Sequence, residues 1–518
     1  MKLIIPMSGQ GKRFVEAGYT IPKPLLPIDG KPIIEHVVNL FSKIDEIIFI
    51  VNDYHVRTTD LIDQLKRIAP LCKIIQVPVG SKAGPVDAVS ESFEFIEEDE
   101  EIIVSYCDYG TVWDFDKFLK DARDTNADGS IACYRGFHPH MLGTDNYAFV
   151  REKEQILLEI REKQSFTSDR MSEYASNGTY YFKSGKILKK YFNKMLAEGV
   201  KINNEFYVSL VYNFLVQDSL RVNIFEIDKM LQWGTPKDYE DYLSWLNYFK
   251  KHESNSTKAS NPPETRLILP MAGKGSRFSM QGYRQPKPLL PINNQPMFIC
   301  AVNDLPKCER FDFVALAEHQ QKYDLRSQLE RHYPKNYTLT LLNEMTNGQA
   351  CTCEIAMLEQ QIDLEKPIMI SASDNGVLYN EEEYQRIVDN PENDIIVWSF
   401  RNNQASLRNP DMYAWLDVDE HEFVKHVSCK KFIYKDPLKT HAIIGTMFFR
   451  KAKYFLEALR ENYSLKHTTN GEYYVDDVLN RNIANGLRVK VFEVEKYVCW
   501  GTPDDYRTYN YWEEHFVK

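Results

Sequence analysis

Two glycine-rich segments of this sequence have the residue types and spacing of phosphate-binding loops. Residues 6–14 read Pro-Met-Ser-Gly-Gln-Gly-Lys-Arg-Phe, and residues 270–278 read Pro-Met-Ala-Gly-Lys-Gly-Ser-Arg-Phe. A Pro-Lys-Pro-Leu-Leu-Pro-Ile segment follows each loop, at residues 22–28 and 286–292, so both features recur at one offset of 264 residues. A short apolar run precedes each loop and predicts a buried strand that ends there.

Each loop combines glycines with an arginine and a lysine, which is a set suited to phosphate. Glycines let successive backbone N–H groups turn toward one anion, the guanidinium can hold phosphate oxygens in pairs, and the lysine adds a mobile charge. A single Gly-x-Gly is more often only a tight turn, but repetition of the whole set favours phosphate binding. The predicted residues are Gly9, Gly11, Arg13 and Lys23 in the first copy and Gly273, Gly275, Arg277 and Lys287 in the second.

An aspartate follows a predicted strand in each half of the chain. Asp108 comes after the apolar residues 101–106, and Asp374 comes after residues 368–373. A carboxylate facing a phosphate loop would be repelled unless a cation stood between them, so we predict that both aspartates bind Mg²⁺. The alternative is an aspartate that only caps a turn before glycine. The predicted catalytic set is Arg13, Lys23, Asp108, Arg277, Lys287 and Asp374.

Predicted strands and helices alternate along both halves. Residues 46–52, 74–78 and 101–106 read as buried strands, whereas residues 32–41 and 84–93 have helical apolar spacing. This pattern predicts α/β domains of three layers, α/β/α, with mostly parallel mixed sheets and ligands at the carboxyl ends of the strands. We expect two tandem domains, and their predicted bounds are residues 1–249 and 265–518, joined by a polar linker at residues 250–264.

The net charge, the apolar runs and the cysteine spacing exclude several classes of protein. A net charge of −11 and a pI near 5.7 argue against a nucleic-acid binder that relies on phosphate contacts. The first strand begins within a few residues of Met1 and no apolar run approaches a membrane span, so we expect a soluble, cytoplasmic protein with no membrane partner. The 9 cysteines lack metal-type spacing and are expected to be reduced.

The loops, the Pro-Lys-Pro segments and the strand-end aspartates resemble the signature of the sugar-phosphate nucleotidyltransferases. The resemblance implies a Rossmann-like mixed sheet related to that of the GT-A glycosyltransferases. It also implies a reaction in which an NTP and a phosphorylated sugar or similar small molecule give pyrophosphate and an NDP-activated product, for polysaccharide or surface-glycan synthesis. The family assigns Mg²⁺ to the aspartate at this place.

Further site residues follow from the same resemblance. Backbone groups of the loops would hold the base, a lysine would contact the acceptor's phosphate, and a glutamate would bind sugar hydroxyls. The lysines could instead be solvated surface, and the glutamates could instead serve a helix N-terminus. Two glycines that open Gly-Thr strands could approach a sugar ring closely. These predicted substrate-binding residues are Met7, Ser8, Gly9, Gly11, Gly84, Lys163, Gly178, Glu205, Met271, Ala272, Gly273, Gly275, Gly348, Gln349, Lys430, Gly445 and Glu472.

The sequence departs from much of the family at one position in each half. Many members have a second metal-binding aspartate two residues before the glycine of Trp-Gly-Thr-Pro, where this chain has Gln232 and Cys499. The missing second acid supports an alternative in which one half is catalytic and the other is a nucleotide-binding regulatory or structural domain. A GT-A glycosyltransferase is a further alternative. The base, the acceptor and the oligomeric state stay open at this point.

Overall fold

The computed structural model describes residues 1–143, 146–253 and 258–517 and divides into two compact units, Met1–Trp245 and Leu246–Lys518. The division falls inside the helix Pro236–Glu253. Tyr248 and Phe249 lie on the second unit's side of this division, where they are buried and their rings contact Tyr509 of the same unit. The division therefore lies four residues before the predicted end of the first domain.

The strands of the first unit are β1 (Lys2–Met7), β2 (Pro27–Ile28), β3 (Lys31–Pro32), β4 (Glu46–Asn52), β5 (Lys73–Val77), β6 (Ile102–Ser105), β7 (Tyr109–Val112), β8 (Gly129–Tyr134), β9 (Ala148–Lys153), β10 (Ile156–Glu162), β11 (Tyr174–Phe182), β12 (Val222–Glu226) and β13 (Lys229–Gln232). Its helices are α1 (Lys12–Glu16), α2 (Ile33–Val38), α3 (Asp53–Thr58), α4 (Leu61–Ile68), α5 (Pro85–Ser90), α6 (Phe115–Asp124), α7 (Gly185–Glu198) and α8 (Val208–Gln217), and α9 (Pro236–Glu253) crosses the division. Short 3₁₀ helices span Lys23–Leu25, Phe93–Phe95, Pro139–Leu142 and Arg170–Ser172.

The strands of the second unit are β14 (Arg266–Pro270), β15 (Pro291–Ile292), β16 (Gln295–Pro296), β17 (Arg310–Leu316), β18 (Tyr337–Leu342), β19 (Ile368–Ile370), β20 (Asn375–Leu378), β21 (Ile395–Phe400), β22 (Ala414–Val418), β23 (Val424–Cys429), β24 (His441–Phe449), β25 (Val489–Glu493) and β26 (Lys496–Cys499). Its helices are α10 (Ser276–Met280), α11 (Met297–Asn303), α12 (Ala317–Tyr323), α13 (Leu325–His332), α14 (Gln349–Glu359), α15 (Glu381–Asp389), α16 (Ala452–Ser464), α17 (Val475–Ala484) and α18 (Pro503–Phe516). Short 3₁₀ helices span Lys287–Leu289, Gln404–Leu407 and Pro410–Met412.

The two units contain the same sheet. The strand order is β5-β4-β1-β6-β11-β8-β12 in the first unit and β18-β17-β14-β19-β24-β21-β25 in the second, so each strand has its counterpart. The first four strands of each order run parallel, and the next strand, β11 or β24, is antiparallel to its neighbours. The mixed α/β sheet and its duplication are therefore confirmed. Both glycine-rich loops leave the central parallel strand, β1 or β14.

Helices cover both faces of the sheet, as the strand sequences require. In the second unit Ile268 packs with α14, α16 and α17, whereas its neighbours Leu267 and Leu269 pack on the opposite face with α11, α13 and α15. In the first unit Ile4 and Ile48 pack with α5, α7 and α8. Because side chains alternate across a strand, an uninterrupted apolar run buries both faces and yields the three predicted layers.

The segment predicted as a linker is partly structured. Helix α9 continues to Glu253, residues 254–257 lie outside the described part of the chain, and Ala259 and Asn261 are buried in the second unit. Tyr384 donates a hydrogen bond to the Asn261 amide oxygen (2.7 Å), which ties the segment to α15. Among the helices of the described residues, none is long and apolar enough to span a bilayer.

A buried ion pair gives a stability test for the second unit. Arg266 Nε donates to Asp312 Oδ2 at 2.7 Å, and the Asp312 side chain is 1% exposed. We expect Asp312→Ala to lower the free energy of unfolding by roughly 3 kcal/mol, because it leaves a buried guanidinium without its partner. Denaturant unfolding measures this change. The control is Glu365→Ala, which removes an exposed partner of Lys451 and should leave the free energy of unfolding almost unchanged. Equal losses for the two variants would contradict the prediction.

Candidate active site

The second unit has a cavity of about 410 Å³ at the carboxyl ends of its central strands. It is lined by the residues after β14 and β19, by the start of α14 and by the segment before α17. All the predicted site residues of the second half line this cavity, namely Met271, Ala272, Gly273, Gly275, Arg277, Lys287, Gly348, Gln349, Asp374, Lys430, Gly445 and Glu472. Residues that lie up to about 200 positions apart are thus brought together, from Met271 to Glu472.

The glycine-rich loop is shaped by a left-handed glycine at its end. Gly11 (φ 64°) and Gly275 (φ 60°) directly precede the short helices α1 and α10, and few other residues adopt this conformation easily. A Cβ on Gly275 would lie 3.3 Å from the Lys287 Cβ, so the glycine also lets the loop pass close to the lysine. In the first unit the Asn52 amide donates a hydrogen bond to the Ser8 carbonyl (3.1 Å) and fixes the loop to β4.

The lysine of each Pro-Lys-Pro segment contacts the strand-end aspartate. Lys23 Nζ donates to Asp108 Oδ2 at 2.7 Å, and Lys287 Nζ donates to Asp374 Oδ2 at 2.6 Å. Burial would raise the pKa of Asp374, but the positive charge of Lys287, assisted by Arg277 and Lys430, lowers it below its usual value. Burial would lower the pKa of Lys23, but Asp108 outweighs it and raises that pKa. Asp374 and Lys23 therefore stay ionised at neutral pH.

The Trp-Gly-Thr-Pro turn presses its backbone against the aspartate. Strand β13 pairs with β7, and β26 pairs with β20, so that the Trp500 N–H donates to the Asp374 carbonyl at 2.9 Å. A Cβ on Gly234 would lie 3.0 Å from Asp108 Oδ2, and one on Gly501 would lie 3.1 Å from Asp374 Oδ2. Because glycine has no side chain, this position of the motif leaves space for the carboxylate.

Another pair of glycines allows two segments to approach closely at the predicted base side. Gly84 and Gly348 directly precede α5 and α14, and both have positive φ (108° and 125°). A Cβ on Gly84 would lie 2.6 Å from the Phe206 backbone nitrogen, and one on Gly348 would lie 2.5 Å from the Tyr473 carbonyl oxygen. The partner segments carry Glu205 and Glu472, so these glycines join the predicted base side to the predicted acceptor side.

The acceptor-side lysine and glutamate are linked through a tyrosine in the first unit. Lys163 Nζ donates to the Tyr207 hydroxyl oxygen at 2.7 Å, and that hydroxyl donates to Glu205. In the second unit Tyr474 hydrogen-bonds Glu472, which together with burial raises the pKa of this tyrosine to about 12, whereas Lys430 Nζ donates to the Met412 carbonyl. The glutamate therefore bonds a tyrosine in both units, and the lysine has a different partner.

Gly178 and Gly445 lie inside long strands, whereas the sequence predicts that a strand begins near each of them. Strands β11 and β24 begin earlier, and the pairing register shifts near each glycine, between Ser176 and Tyr180 in the first unit. Positive φ values of 99° and 82° produce these bulges. A Cβ on Gly178 would lie 3.0 Å from the Tyr106 ring, so the bulge in the first unit is covered by an aromatic side chain.

Several cavity residues were not predicted from the sequence. Besides the predicted set, Thr346, Thr352, Tyr413, Tyr474, Asp476, Tyr497, Cys499 and Thr502 line the cavity of the second unit. The repeat offers a signal for three of them, because Tyr147, Tyr207 and Thr235 stand at the positions that correspond to Tyr413, Tyr474 and Thr502. Asp476 has no such signal, because Ser209 stands at its counterpart.

The residues around the aspartates offer little to a metal ion without substrate. In the described part of the chain no group of three or more His, Cys, Asp or Glu side chains could hold a metal. Gln232 and Cys499 flank the aspartates, and burial raises the pKa of the Cys499 thiol, which disfavours a thiolate ligand. One carboxylate in each unit fits a Mg²⁺ ion that is bound mainly by substrate phosphates and water. A lysine of the protein already neutralises each carboxylate, so repulsion between the aspartate and a phosphate does not by itself require a metal ion.

Comparison with known proteins places the first unit in a family. Residues 2–242 match the family model described as "Nucleotidyl transferase", which covers nearly the whole unit Met1–Trp245. The first unit is a nucleotidyl transferase domain. The second unit repeats its motifs at constant spacing and its strand order strand for strand.

Curated and solved relatives carry related descriptions. A protein of Sulfolobus acidocaldarius described as a candidate mannose-1-phosphate guanyltransferase is 25% identical over 270 residues, which are 50% of this chain and 68% of that protein. A nucleoside-diphosphate-sugar pyrophosphorylase structure from Vibrio cholerae is 21% identical, with a TM-score of 0.39, over 47% of this chain and 98% of its own. An inositol-1-phosphate CTP transferase structure from T. maritima is 15% identical, with a TM-score of 0.38, over 50% of this chain and 100% of its own.

The close approach at Gly348 generates a prediction about this nucleotidyl transferase fold. We expect Gly348→Ala to abolish nucleotide binding by the second unit, because the new Cβ would collide with the Tyr473 backbone and displace Glu472 and Tyr474. Calorimetric titration with the four common NTPs measures this binding. Gly486→Ala is the control, because Gly486 also has positive φ (84°) but has open space around it and lies outside the cavity lining. Unchanged binding in Gly348→Ala would show that the glycine is not needed.

Proposed function

We propose that the protein is a tandem nucleotidyltransferase in which each unit transfers a nucleotidyl group from an NTP to a phosphorylated sugar or similar small molecule. The observation that supports this most directly is one cavity that holds the glycine-rich loop, the Lys287–Asp374 pair and Lys430 together. Such a cavity offers positive charge to two phosphorylated substrates at once. The NDP-activated product would serve polysaccharide or surface-glycan synthesis, and the NTP supply points to the cytoplasm.

The triphosphate would bind at the glycine-rich loop. Backbone N–H groups of Ala272 and Gly273 and the guanidinium of Arg277 offer donors there, and Gln349 at the start of α14 stands near the base. The first unit has the corresponding residues Met7, Ser8, Gly9, Arg13 and Gly84. Because these contacts are mostly to the backbone, they bind the nucleotide without demanding particular side chains.

The acceptor would bind at the opposite side of the cavity. Lys430 is the cation there, and Glu472 with its bonded Tyr474 offers oxygen atoms to hydroxyl groups. Gly445 lies at the bulge of β24, where a missing side chain lets a ring approach the strand. Lys163, Glu205 and Gly178 hold these positions in the first unit.

The chemistry that these positions support is an in-line displacement. A phosphate oxygen of the acceptor attacks the α-phosphorus, the bond from that phosphorus to the bridging oxygen of the β-phosphate breaks, and pyrophosphate leaves with the bonding electrons. A phosphate dianion is already a competent nucleophile, so no covalent enzyme intermediate is needed. Arg277 and Lys287 offset the negative charge that grows on the α-phosphate and pyrophosphate, and the cavity walls hold both substrates in line.

Asp108 and Asp374 are the residues that would hold Mg²⁺ in the two units. The ion, when bound, would neutralise phosphate charge. Before the ion binds, Lys23 and Lys287 hold these carboxylates in position beside the loop.

Pyrophosphate release measures the proposed function. The full-length protein is mixed with each common NTP, Mg²⁺ and a panel of sugar 1-phosphates and other phosphorylated small molecules. We expect release only when an NTP and an acceptor are both present, and loss of release on chelation by EDTA. Release of free nucleoside diphosphate from a nucleotide sugar would instead indicate a glycosyltransferase, and nucleotide binding without any release would indicate a regulatory protein.

The ion pairs predict how activity divides between the units. We expect Lys23→Ala with Asp108→Asn to silence the first unit and Lys287→Ala with Asp374→Asn to silence the second, with all four changes lowering turnover at least about a thousandfold. Steady-state kinetics with each accepted substrate measures this. Lys43→Ala is the control, because this exposed lysine pairs with Asp116 outside the loop. Wild-type turnover in a folded quadruple variant would contradict the assignment.

A further inference from the structure

Besides the glutamate, the acceptor side of each unit has one more acidic residue, which lies on a strand in the first unit and on a helix in the second. In the first unit Glu162 ends β10 and accepts a hydrogen bond from Ser209 Oγ of α8 at 2.6 Å. In the second unit the corresponding positions hold Cys429 at the end of β23 and Asp476 in the first turn of α17. The carboxylate has thus moved from the strand to the helix.

The docking of the helix shows that these positions correspond in space. The Asn213 side chain accepts from the Ile160 N–H at 3.0 Å and donates to the Ile160 carbonyl at 2.9 Å. Asn480 makes the same two bonds to Val427, at 2.9 Å each. Helix and strand therefore have the same register in both units, so the difference lies in the side chains alone.

Asp476 is the carboxylate of this cavity that no side chain of the described residues pairs with or hydrogen-bonds. Asp374 is paired with Lys287, and Glu472 bonds Tyr474. In the described part of the chain, Asp476 has neither a hydrogen-bonded side-chain partner nor a cation in ion-pair contact, although Lys430 acts on it from further away. Burial, together with the neighbouring Asp477 carboxylate, raises the pKa of Asp476 to about 6, so the cavity contains a desolvated carboxylate whose ionised form a bound cation would stabilise.

A phosphorylated acceptor meets a conflict at this position. Lys430 would draw its phosphate into the same cavity that Asp476 lines, and like charges repel strongly where water is partly excluded. A positive group on the acceptor would remove the conflict, because it would pair with Asp476 while the phosphate stays at Lys430. In the first unit the Ser209 hydroxyl satisfies the corresponding carboxylate from within the protein.

The second unit also has room for an additional group beside Gly445. Ala372 lines the cavity there, at a position where the first unit has Tyr106. The Tyr106 ring covers Gly178, whereas only the small Ala372 side chain lies against Gly445. Tyr413, Tyr474 and Tyr497 line the same cavity, and aromatic rings can attract cations.

We propose that the acceptor of the second unit is a phosphorylated small molecule that carries a protonated amine, and that Asp476 binds this amine. The inference rests on the proposed function of the cavity and names the class of its acceptor. Asp476 is a specificity-determining residue, which contacts the substrate away from the reacting phosphate.

The test uses the full chain with the first unit silenced by Lys23→Ala and Asp108→Asn. The acceptors are glucosamine 1-phosphate, glucose 1-phosphate and N-acetylglucosamine 1-phosphate. Phosphoethanolamine is added as an amine carrier without a sugar, and phosphocholine as a cation that has no N–H to donate. Pyrophosphate release gives kcat/KM for each acceptor, and calorimetry gives its affinity. We expect the best amine-bearing acceptor to exceed the neutral sugar phosphates about tenfold or more, because a hydrogen-bonded charge pair provides discrimination of that size.

Two variants separate recognition by Asp476 from a general role in folding. Asp476→Asn should remove the preference for the amine, lowering kcat/KM for that acceptor about tenfold while turnover of glucose 1-phosphate does not fall. Asp476→Ser with Cys429→Glu, which rebuilds the arrangement of the first unit, should do the same and should melt at the wild-type temperature.

Particular results would overturn the inference. Equal use of amine-bearing and neutral acceptors would do so, and so would an equal loss for all acceptors in Asp476→Asn. If no acceptor gives pyrophosphate, the proposed function fails, and calorimetry then decides the amine site by itself: an amine-bearing phosphate that binds no better to the wild-type cavity than to Asp476→Asn refutes it.

Discussion

The contact between a lysine ammonium and an aspartate carboxylate organises both cavities. Lys23 meets Asp108, and Lys287 meets Asp374, at 2.7 and 2.6 Å. Each pair joins the segment after the glycine-rich loop to the end of the neighbouring parallel strand, and the backbone of the Trp-Gly-Thr-Pro turn closes over the carboxylate. A half-buried charge of either sign alone would be costly, so the contact fixes both segments in a geometry in which each stays charged.

The sequence predicted the duplicated fold and part of the lining of the second cavity, because the signals for both are local and occur twice. Strand, loop and Pro-Lys-Pro lie within about 30 residues in each copy, and apolar runs show which strands are buried on both faces. The partner of the lysine could not be predicted, because it lies 85 or 87 residues away and the pair forms only when the sheet assembles. The same holds for the bulges at Gly178 and Gly445, which depend on pairing with neighbouring strands, and for α9, whose last turns are stabilised by contacts with the distant Tyr509.

The two units have diverged where side chains rather than backbone would meet the substrate. The glycine-rich loop and the ion pair are nearly identical, since backbone N–H groups and a paired lysine tolerate little variation. On the acceptor side Tyr106 corresponds to Ala372, and Ser209 corresponds to Asp476. These exchanges leave the register of strand and helix unchanged, as the Asn213 and Asn480 bonds show. The scaffold can therefore change its acceptor without a change in its fold.

The neutral side chains of Gln232 and Cys499 preserve the charge balance between the lysine and the aspartate in each unit. With a second carboxylate at that position, the lysine would neutralise only one of two acids, and the free cavity would carry a net negative charge that attracts a divalent cation. With an amide or a thiol there, Lys287 balances Asp374, as Lys23 balances Asp108, and the free protein has little excess charge with which to bind such an ion. The negative charge needed for Mg²⁺ must then come from the triphosphate itself. We therefore expect metal affinity in both units to depend on bound nucleotide, because beside the glycine-rich loop the protein supplies one carboxylate, and its own lysine already holds it.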